Sequence, residues 1–391
     1  MPVIANPSEL DRQTFDFVIV GGGTAGCVLA NRLSCRYRVL LLEAGTRTHD
    51  DLVESRVPLL NSRLKNTEVD WKLQSVSQPN ADNRTIGIPL GKMLGGSSAF
   101  NACLWHRCSP SDYDAWHTNG WTYKDLKPYF CKAESFHPAH DVHGTSGPIH
   151  ATDLEINPES LGHYFRRACQ NTGLPDYDDL TDKPCKVSHL MKNTINILPQ
   201  GTPDNSSDTE NAPQMELFTG GLALCKQAGS LTHVNCATLL MVYLAPFSRG
   251  SVTISSKEDI YIDLGLLSDK RDLECIKKGL KLSFDIANDP IYRDSCIKRW
   301  ILPAEDMDQL NLEEYIKENI ETIHHYAGTC KMGPKEDCMA VVDEHLKVYG
   351  VNNVRVVDAS FFPIVPAGQI CFPVIACAER AADIILDEYQ S

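Results

Sequence analysis

Residues 15–43, FDFVIVGGGTAGCVLANRLSCRYRVLLLE, hold a complete strand–helix–strand pattern around a glycine motif. Residues 15–20 are a short apolar run typical of a strand, and residues 25–33 have the three- and four-residue apolar spacing of a helix. Residues 39–42 are a second apolar run, typical of a buried strand. The stretch therefore predicts a βαβ unit of an α/β fold rather than an isolated glycine-rich turn.

The glycines of this unit form GxGxxG at the turn between strand and helix, a pattern typical of dinucleotide binding in this context. Gly21 permits the tight turn, Gly23 lets the backbone approach a diphosphate, and Gly26 lets the helix pack closely on the sheet. Free N–H groups at the helix N-terminus favour the anionic diphosphate. Glu43 follows at the spacing that suits ribose hydroxyls, and its charge disfavours the extra phosphate of NADP. We therefore expect a nucleotide cofactor near the N-terminus.

Composition narrows the class of protein. The chain has 391 residues, 42% of them hydrophobic, and a formal net charge of −14, which predicts a globular protein of two or three domains. The acidic balance and the lack of a dense Lys/Arg cluster argue against nucleic acid or membrane as a partner. We see no leader segment and no apolar run of the roughly 18 residues that a membrane span needs. The expected location is the cytoplasm.

Cysteine and histidine patterns do not predict a metal site. The 15 cysteines are odd in number, scattered and without CxxC, so neither a disulfide framework nor a zinc ribbon is indicated. His137, His140 and His143 lie in HPAHDVH, whose spacing suits a metal, but no cysteine or carboxylate cluster accompanies them. A surface turn is the favoured interpretation, and we expect no metal.

Further elements follow along the chain. Residues 90–101, LGKMLGGSSAFN, are either a second cofactor loop or a flexible glycine loop. Residues 196–214 have the composition of a linker. Apolar patterns predict strands at 252–255 and 354–357 and helices at 272–287 and 373–386, the last rejoining the N-terminal sheet.

Four blocks together resemble the glucose-methanol-choline (GMC) oxidoreductases: GGGTAG with Glu43, GKMLGGSSAFN, HGTSGPI, and HHYAGTCKMG with VVDASFFP further on. The resemblance covers about residues 14–150 and 243–388. It implies an FAD-binding Rossmann-like (GMC type) α/β domain with a smaller α+β substrate domain. The implied division is an FAD-binding N-terminal part (1–150), a shortened substrate-side region (151–244) and a C-terminal part (245–391) that returns to the FAD domain at about 322–391.

The resemblance also implies which residues bind FAD. The ADP side would be held by the glycine turn and by Thr24, Ala25, Glu43 and Ala44, while the second loop would line the flavin and the C-terminal segment would close over it. The second-loop and C-terminal positions are Met93, Gly96, Ser98, Asn101, Ala102, Cys103, Leu104, Asp358 and Ala359. Some family members carry a histidine before the loop asparagine that is joined covalently to the flavin. This chain has Phe100 there, so we expect non-covalent FAD.

Two cysteines, Cys103 and Cys371, fall near the expected flavin position. No base is suggested beside either of them. We therefore expect buried packing residues rather than nucleophiles.

His325 falls on the family's active-site histidine, in HYAGT. An alcohol releases hydride more readily as its hydroxyl proton leaves, and imidazole titrates near the working pH. The resemblance thus implies that His325 is the general base and that flavin N5 accepts the hydride. His324 would face the opposite way if the segment is extended. Gln369 stands where relatives carry histidine or asparagine; it can orient a substrate oxygen but cannot take a proton.

The chain departs from the family in length. Members are usually longer, and the missing part lies between residues 149 and 245, with residues 193–214 as the expected deletion point. Loss of core strands there would expose apolar surface that a partner or a second subunit would cover.

The leading functional hypothesis is an FAD-dependent alcohol dehydrogenase or oxidase acting on a small-molecule alcohol, in secondary-metabolite biosynthesis by family analogy. The electron acceptor is O2 or another molecule. Two alternatives stay open: a non-redox flavin-dependent lyase or cyclase, and a catalytically impaired shortened homologue that acts as a binding partner. Substrate identity and oligomeric state are not determined by the sequence.

Overall fold

The computed structural model describes residues 7–152, 158–174, 194–197, 215–220, 236–256, 259–297, 299–301, 303 and 309–389. The helices of these residues are α1 (Thr24–Ser34), α2 (Val53–Arg56), α3 (Pro110–Asp114), α4 (Tyr123–Ala133), α5 (Leu161–Asn171), α6 (Lys270–Asn288), α7 (Pro290–Cys296), α8 (Leu312–Asn319) and α9 (Cys371–Glu388). The strands are β1 (Phe17–Val20), β2 (Val39–Leu42), β3 (Leu73–Gln74), β4 (Gly87–Ile88), β5 (Glu134–His137), β6 (Ile149–Thr152), β7 (Thr194–Ile197), β8 (Met215–Gly220), β9 (Thr238–Tyr243), β10 (Ser251–Ile254) and β11 (Ile260–Asp263). Every helix in this part of the chain is too short or too polar to cross a membrane.

The predicted βαβ unit is confirmed by β1, α1 and β2. The two strands pair in parallel, with Phe17 opposite Val39 and Val20 opposite Leu42. Helix α1 connects them, as a parallel pair requires. The Gly21 N–H donates to the carbonyl of Leu42 at 2.8 Å, so the glycine turn is held at the carboxyl end of both strands.

One face of this strand pair is exposed, although the apolar runs predict burial. Val18 and Val20 are 55% and 84% exposed, and Leu42 is 42% exposed. Their neighbours Phe17 and Ile19 point the other way and pack against the apolar cluster that contains residues of α1, α4 and α9. Pairing with β2 covers one edge of β1 but neither face, and these exposures show that the described residues leave the second face largely uncovered.

The first core joins the two ends of the chain. Helices α1, α4 and α9 pack together, and their cluster includes Leu29, Phe130 and Phe372. Arg32 of α1 forms ion pairs with Glu379 and Asp383 of α9. The predicted C-terminal helix is therefore confirmed, and it packs on the N-terminal unit.

The strand predicted at residues 354–357 is wrong. Only an isolated bridge between Lys347 and Arg355 is present there, and Val354 is 44% exposed. An apolar run becomes a strand only where a neighbouring strand offers a continuous row of hydrogen bonds. No such neighbour occurs among the described residues.

The second core lies under an antiparallel sheet of order β7-β8-β9. Helices α5, α6 and α7 supply its other side, and Met215, Leu217 and Phe165 are buried in it. The predicted helix at 272–287 is confirmed by α6, and the strand at 252–255 by β10, which pairs with β11. The division into an FAD-binding part, a substrate-side part and a C-terminal part stays a prediction, since the second core combines residues of the predicted middle part with residues of the C-terminal part. The predicted linker at 196–214 and the deletion point at 193–214 lie almost entirely outside the described residues.

Candidate active site

The two glycine loops touch each other through backbone atoms. The Gly95 N–H donates to the Gly22 carbonyl at 2.7 Å. Gly96 has φ +53°, and a Cβ there would lie 2.8 Å from the Cα of Gly23. A Cβ at Gly26 would lie 2.0 Å from the carbonyl oxygen of Gly21, in agreement with close helix packing. Only glycine, which has no Cβ, fits without a clash where the two loops meet.

The N-terminus of α1 has backbone N–H donors and no side-chain cap. Gly23 is the N-cap and has no side-chain capping hydrogen bond, and Thr24 and Ala25 begin the helix. Gly21 has φ +97° and open space where a Cβ would stand. Because the first N–H groups of a helix lack intrahelical partners, this turn fits an anionic diphosphate.

Glu43 stands beside this turn at the end of β2. Its carboxylate accepts the N–H of Gly22 at 2.8 Å and that of Gly45 at 2.7 Å. A carboxylate has about four acceptor positions, so capacity remains for ribose hydroxyls. Ala44 is exposed next to it. The residues present therefore fit the ADP half of FAD.

Met93 departs from its expected place. Its side chain is fully buried in a cluster with Leu64, Val69 and Phe100, so it supports the second loop from behind rather than presenting a surface to a ligand. Ser98 is half-buried, and its hydroxyl donates to the Gly95 carbonyl at 2.7 Å. The loop is thus held by its own contacts.

The end of the second loop lies next to the start of α9. Asn101 accepts the N–H of Cys103 at 2.9 Å. Ala102 is exposed and Leu104 is half-buried. Cys103 is exposed, contrary to the expectation of burial. Burial raises the pKa of Cys371 to about 11, only partly offset by a hydrogen bond with Asn101, so this thiol stays protonated at neutral pH.

The C-terminal segment runs beside the chain that follows His325. The Gly328 N–H donates to the Ala359 carbonyl at 3.2 Å, and the Cys330 N–H donates to the Ser360 carbonyl at 2.8 Å. Asp358 accepts the Ser360 N–H at 2.8 Å. Backbone pairing therefore brings the histidine segment and the Asp358–Ala359 pair together.

His325 has the electrostatics of a base. Burial lowers its pKa to about 4, and a hydrogen-bonding contact with the side chain of Gln369 offsets part of this effect. The ring is half-buried rather than sealed from solvent. His325 is therefore neutral at pH 7 and able to accept a proton.

His324 has different neighbours from His325. It has φ +67°, its Nε2 lies 3.2 Å from Nζ of Lys65, and its Nδ1 lies 3.3 Å from the hydroxyl of Tyr326. Burial, then Lys65, lowers the pKa of His324 to about 4. The two adjacent imidazoles thus share a low pKa but have separate partners.

Gln369 connects His325 to a carboxyl group that the sequence did not reveal. Its Nε2 donates to Oε2 of Glu216 at 3.2 Å. Glu216 is 1% exposed, and burial raises its pKa to about 8, against a smaller lowering by Gln369. The sequence contains one feature that could have indicated this carboxyl group. Glu216 is an acidic residue inside the apolar run MELF, between Met215 and Leu217.

The HPAHDVH stretch is only in part the surface turn that was expected. His137 and His140 are exposed, but the side chain of His143 is 7% exposed and its Nδ1 lies 2.9 Å from Oε1 of Glu134. Glu134 also forms an ion pair with Arg107. No group of three metal-binding side chains occurs within the described ranges.

Models of the GMC oxidoreductase family match residues 15–200 and 246–378. The chain is similar to the alcohol dehydrogenase [acceptor] of Pseudomonas putida, with 27% identity over 534 aligned positions, 95% of this chain and 96% of that protein. It is 42% identical to dehydrogenase str4 of Strobilurus tenacellus over 206 residues, 49% of this chain. That second match spans only 33% of the relative's length.

The fold is similar to that of solved oxidases. Pyridoxine 4-oxidase from Mesorbium loti has a TM-score of 0.80 at 23% identity, covering 95% of this chain and 99% of that one. Formate oxidase has a TM-score of 0.81 at 19% identity, covering 96% and 98%. The alignment of 534 positions with the Pseudomonas enzyme exceeds the 391 residues of this chain. The relative therefore carries internal segments that this chain lacks.

Proposed function

This chain belongs to the GMC oxidoreductase family and has FAD as its cofactor, and from that membership we propose that it oxidises the CH–OH group of a small-molecule alcohol with His325 as the base. The observation that supports the proposal is the environment of His325. Its ring is neutral at pH 7 and partly open to solvent, and it contacts Gln369.

Gln369 and His325 have different roles in the proposed reaction. Gln369 orients the His325 ring, and His325 takes the hydroxyl proton as the carbon–hydrogen bond of the substrate breaks. Bound FAD supplies the acceptor for the hydride, at N5 of its ring. The glycine turn, Glu43 and the second loop would hold this cofactor without a covalent bond, since Phe100 stands where a linking histidine would be.

The test is anaerobic flavin reduction by a panel of short-chain, aryl and amino alcohols. His325→Ala is expected to retain FAD and to reduce its flavin roughly 10²- to 10⁴-fold more slowly, the usual contribution of a general base. His324→Ala is the matched control because it removes a neighbouring imidazole of equally low pKa. Equal rates in His325→Ala and the wild type would contradict the proposal.

One observation favours the second candidate, an impaired homologue that binds a partner. The exposed apolar positions Val18, Val20 and Leu42 lie on the cofactor-binding unit itself, as expected if the shortening removed a covering layer. Flavin content separates the two candidates. A stable monomer with one FAD per chain supports the enzyme, whereas a colourless protein that cannot be reconstituted supports the binding partner.

A further inference from the structure

Glu216 lies on the face of the β7-β8-β9 sheet opposite the helices. Successive side chains of a strand point to opposite faces, and Met215 and Leu217 are buried with α5, α6 and α7 in the second core. Glu216 pairs with Val242 of β9, which packs with Leu244 and Ala367. The sheet therefore places a carboxyl group against the loop that carries Gln369.

The side-chain amide of Gln369 has a donor, its nitrogen, on one side and an acceptor, its oxygen, on the other. Its nitrogen donates to Glu216 at 3.2 Å, so its oxygen is left for His325. Contact with Gln369 raises the pKa of His325 against the larger effect of burial, as expected when the amide oxygen accepts a ring N–H. If the amide were rotated by about 180°, its N–H group would face His325. The facing nitrogen of the imidazole would then have to be the unprotonated one that accepts this hydrogen bond.

We infer that Glu216 is a positioning residue: its carboxylate fixes the amide of Gln369 so that His325 keeps its N–H toward Gln369 and an unprotonated nitrogen toward the substrate. The inference deepens the proposed function and rests on it. An imidazole in the opposite tautomer presents a hydrogen to the substrate hydroxyl and cannot remove its proton. The orientation of one amide therefore decides whether His325 is a competent base.

The ionisation of Glu216 controls this orientation. An ionised carboxylate only accepts hydrogen bonds, whereas the protonated acid can donate to the amide oxygen and allow the amide to turn. Because the pKa of Glu216 is about 8, base competence rises with pH through that range. His325 remains neutral throughout, since its pKa is about 4.

Two other titratable groups lie in the same buried region. The Cys108 thiol lies near Glu216, and burial raises its pKa well above the usual range. Asp112 lies near Cys108, and burial raises its pKa to about 7 against hydrogen bonds from the Ser109 and Ala367 backbone. Val242 on the paired strand is apolar. Burial is the main cause that raises the pKa of Glu216, and the hydrogen bond from Gln369 opposes it only in part.

The direct test is nitrogen NMR of the holoenzyme with isotopically labelled histidine, because ring shifts distinguish protonated from unprotonated nitrogens. His325→Ala identifies the signals. In the wild type His325 is expected to pass from mixed to single tautomer as the pH rises through about 8, the range of Glu216. Glu216→Gln is expected to show mixed tautomers at every pH, since glutamine cannot ionise.

Flavin reduction by a reactive alcohol gives the second readout. Glu216→Gln is expected to lower kcat roughly 10- to 100-fold, by analogy with the loss of activity when a hydrogen-bond partner of a metal-bound histidine is removed. The rise near pH 8 should disappear, with KM and FAD content unchanged. Val242→Ala changes a residue on the same face of the sheet. This variant should be less stable, but its rate of flavin reduction should still rise near pH 8. If Glu216→Gln does not fold, Gln369→Met should show the same loss of the pH rise.

A single His325 tautomer in Glu216→Gln, or an unchanged pH profile, would overturn the inference. A retained rise in Gln369→Met would do the same. Failure of the proposed function has a different signature, namely normal flavin reduction in His325→Ala. The two ideas can therefore be rejected separately.

Discussion

Gly96→Ala tests whether direct contact between the two glycine loops holds the cofactor site together. A Cβ on Gly96 would lie 2.8 Å from the Cα of Gly23, whereas carbon atoms in good contact are about 3.5–4.0 Å apart. The loops would have to separate by several tenths of an ångström or more. The hydrogen bond from the Gly95 N–H to the Gly22 carbonyl, 2.7 Å long, would be stretched by the same movement.

The expected cost has two parts. Placing an L-residue in the left-handed region, where Gly96 has φ +53°, costs about 1–2 kcal/mol. Overpacking against a backbone atom costs about 1–3 kcal/mol more. If the strain of overpacking falls on the FAD-bound state, the Kd for FAD rises roughly 5- to 150-fold.

Gly350→Ala is the matched control, since Gly350 has φ +74° and nothing within 4 Å of its Cβ position. It should show only the cost of the left-handed backbone and bind FAD normally. The measurements are urea unfolding and the FAD content after gel filtration. Equal stability and equal FAD content in the two variants would refute the reasoning, because the loop contact would then contribute nothing.

Two further predictions concern the first core and its edge. Glu134→Ala leaves Arg107 buried without its ion pair and is expected to cost about 3–5 kcal/mol in urea unfolding. Burial alone raises the pKa of Glu134, but His143, Arg107 and Trp105 lower it to about 2 from 4.5. Its charge therefore stabilises the fold above pH 4.5, and this contribution disappears as the pH falls to about 2; acid unfolding that is unchanged in Glu134→Ala would contradict this. Arg32→Met removes both ion pairs to α9 and should cost about 1–2 kcal/mol without lowering FAD content, since the pairs are only partly buried; loss of FAD would mean that α9 orders the site itself.

Local sequence patterns predicted the elements whose determinants lie within a few turns of chain. The glycine turn, α1 and the parallel pairing of β1 and β2 follow from apolar spacing and from glycine at fixed offsets. Helix α9 extends from Cys371 to Glu388 around the predicted residues 373–386. These predictions succeeded because the hydrogen bonds of a helix and the steric needs of a tight turn are local.

Patterns failed where the environment decided the outcome. Residues 354–357 are apolar, yet no strand forms because no continuous partner is present. Val18 and Val20 lie in a strand as predicted, but one face of that strand is exposed. Met93 is in the predicted loop but faces a core instead of a ligand. Apolar character alone says nothing of what lies across a strand or behind a loop.

The sequence by itself identified the family and FAD as its cofactor, and it predicted the residues of the FAD site and the candidate base His325, because each depends on residues that stand together in short motifs. Only the tertiary structure revealed Glu216. It is separated from Gln369 by 153 positions, and it reaches that residue through the alternation of β8 and the packing of the sheet over the Gln369 loop. A contact between distant segments depends on how sheets and loops pack, and no local pattern in the chain records that arrangement.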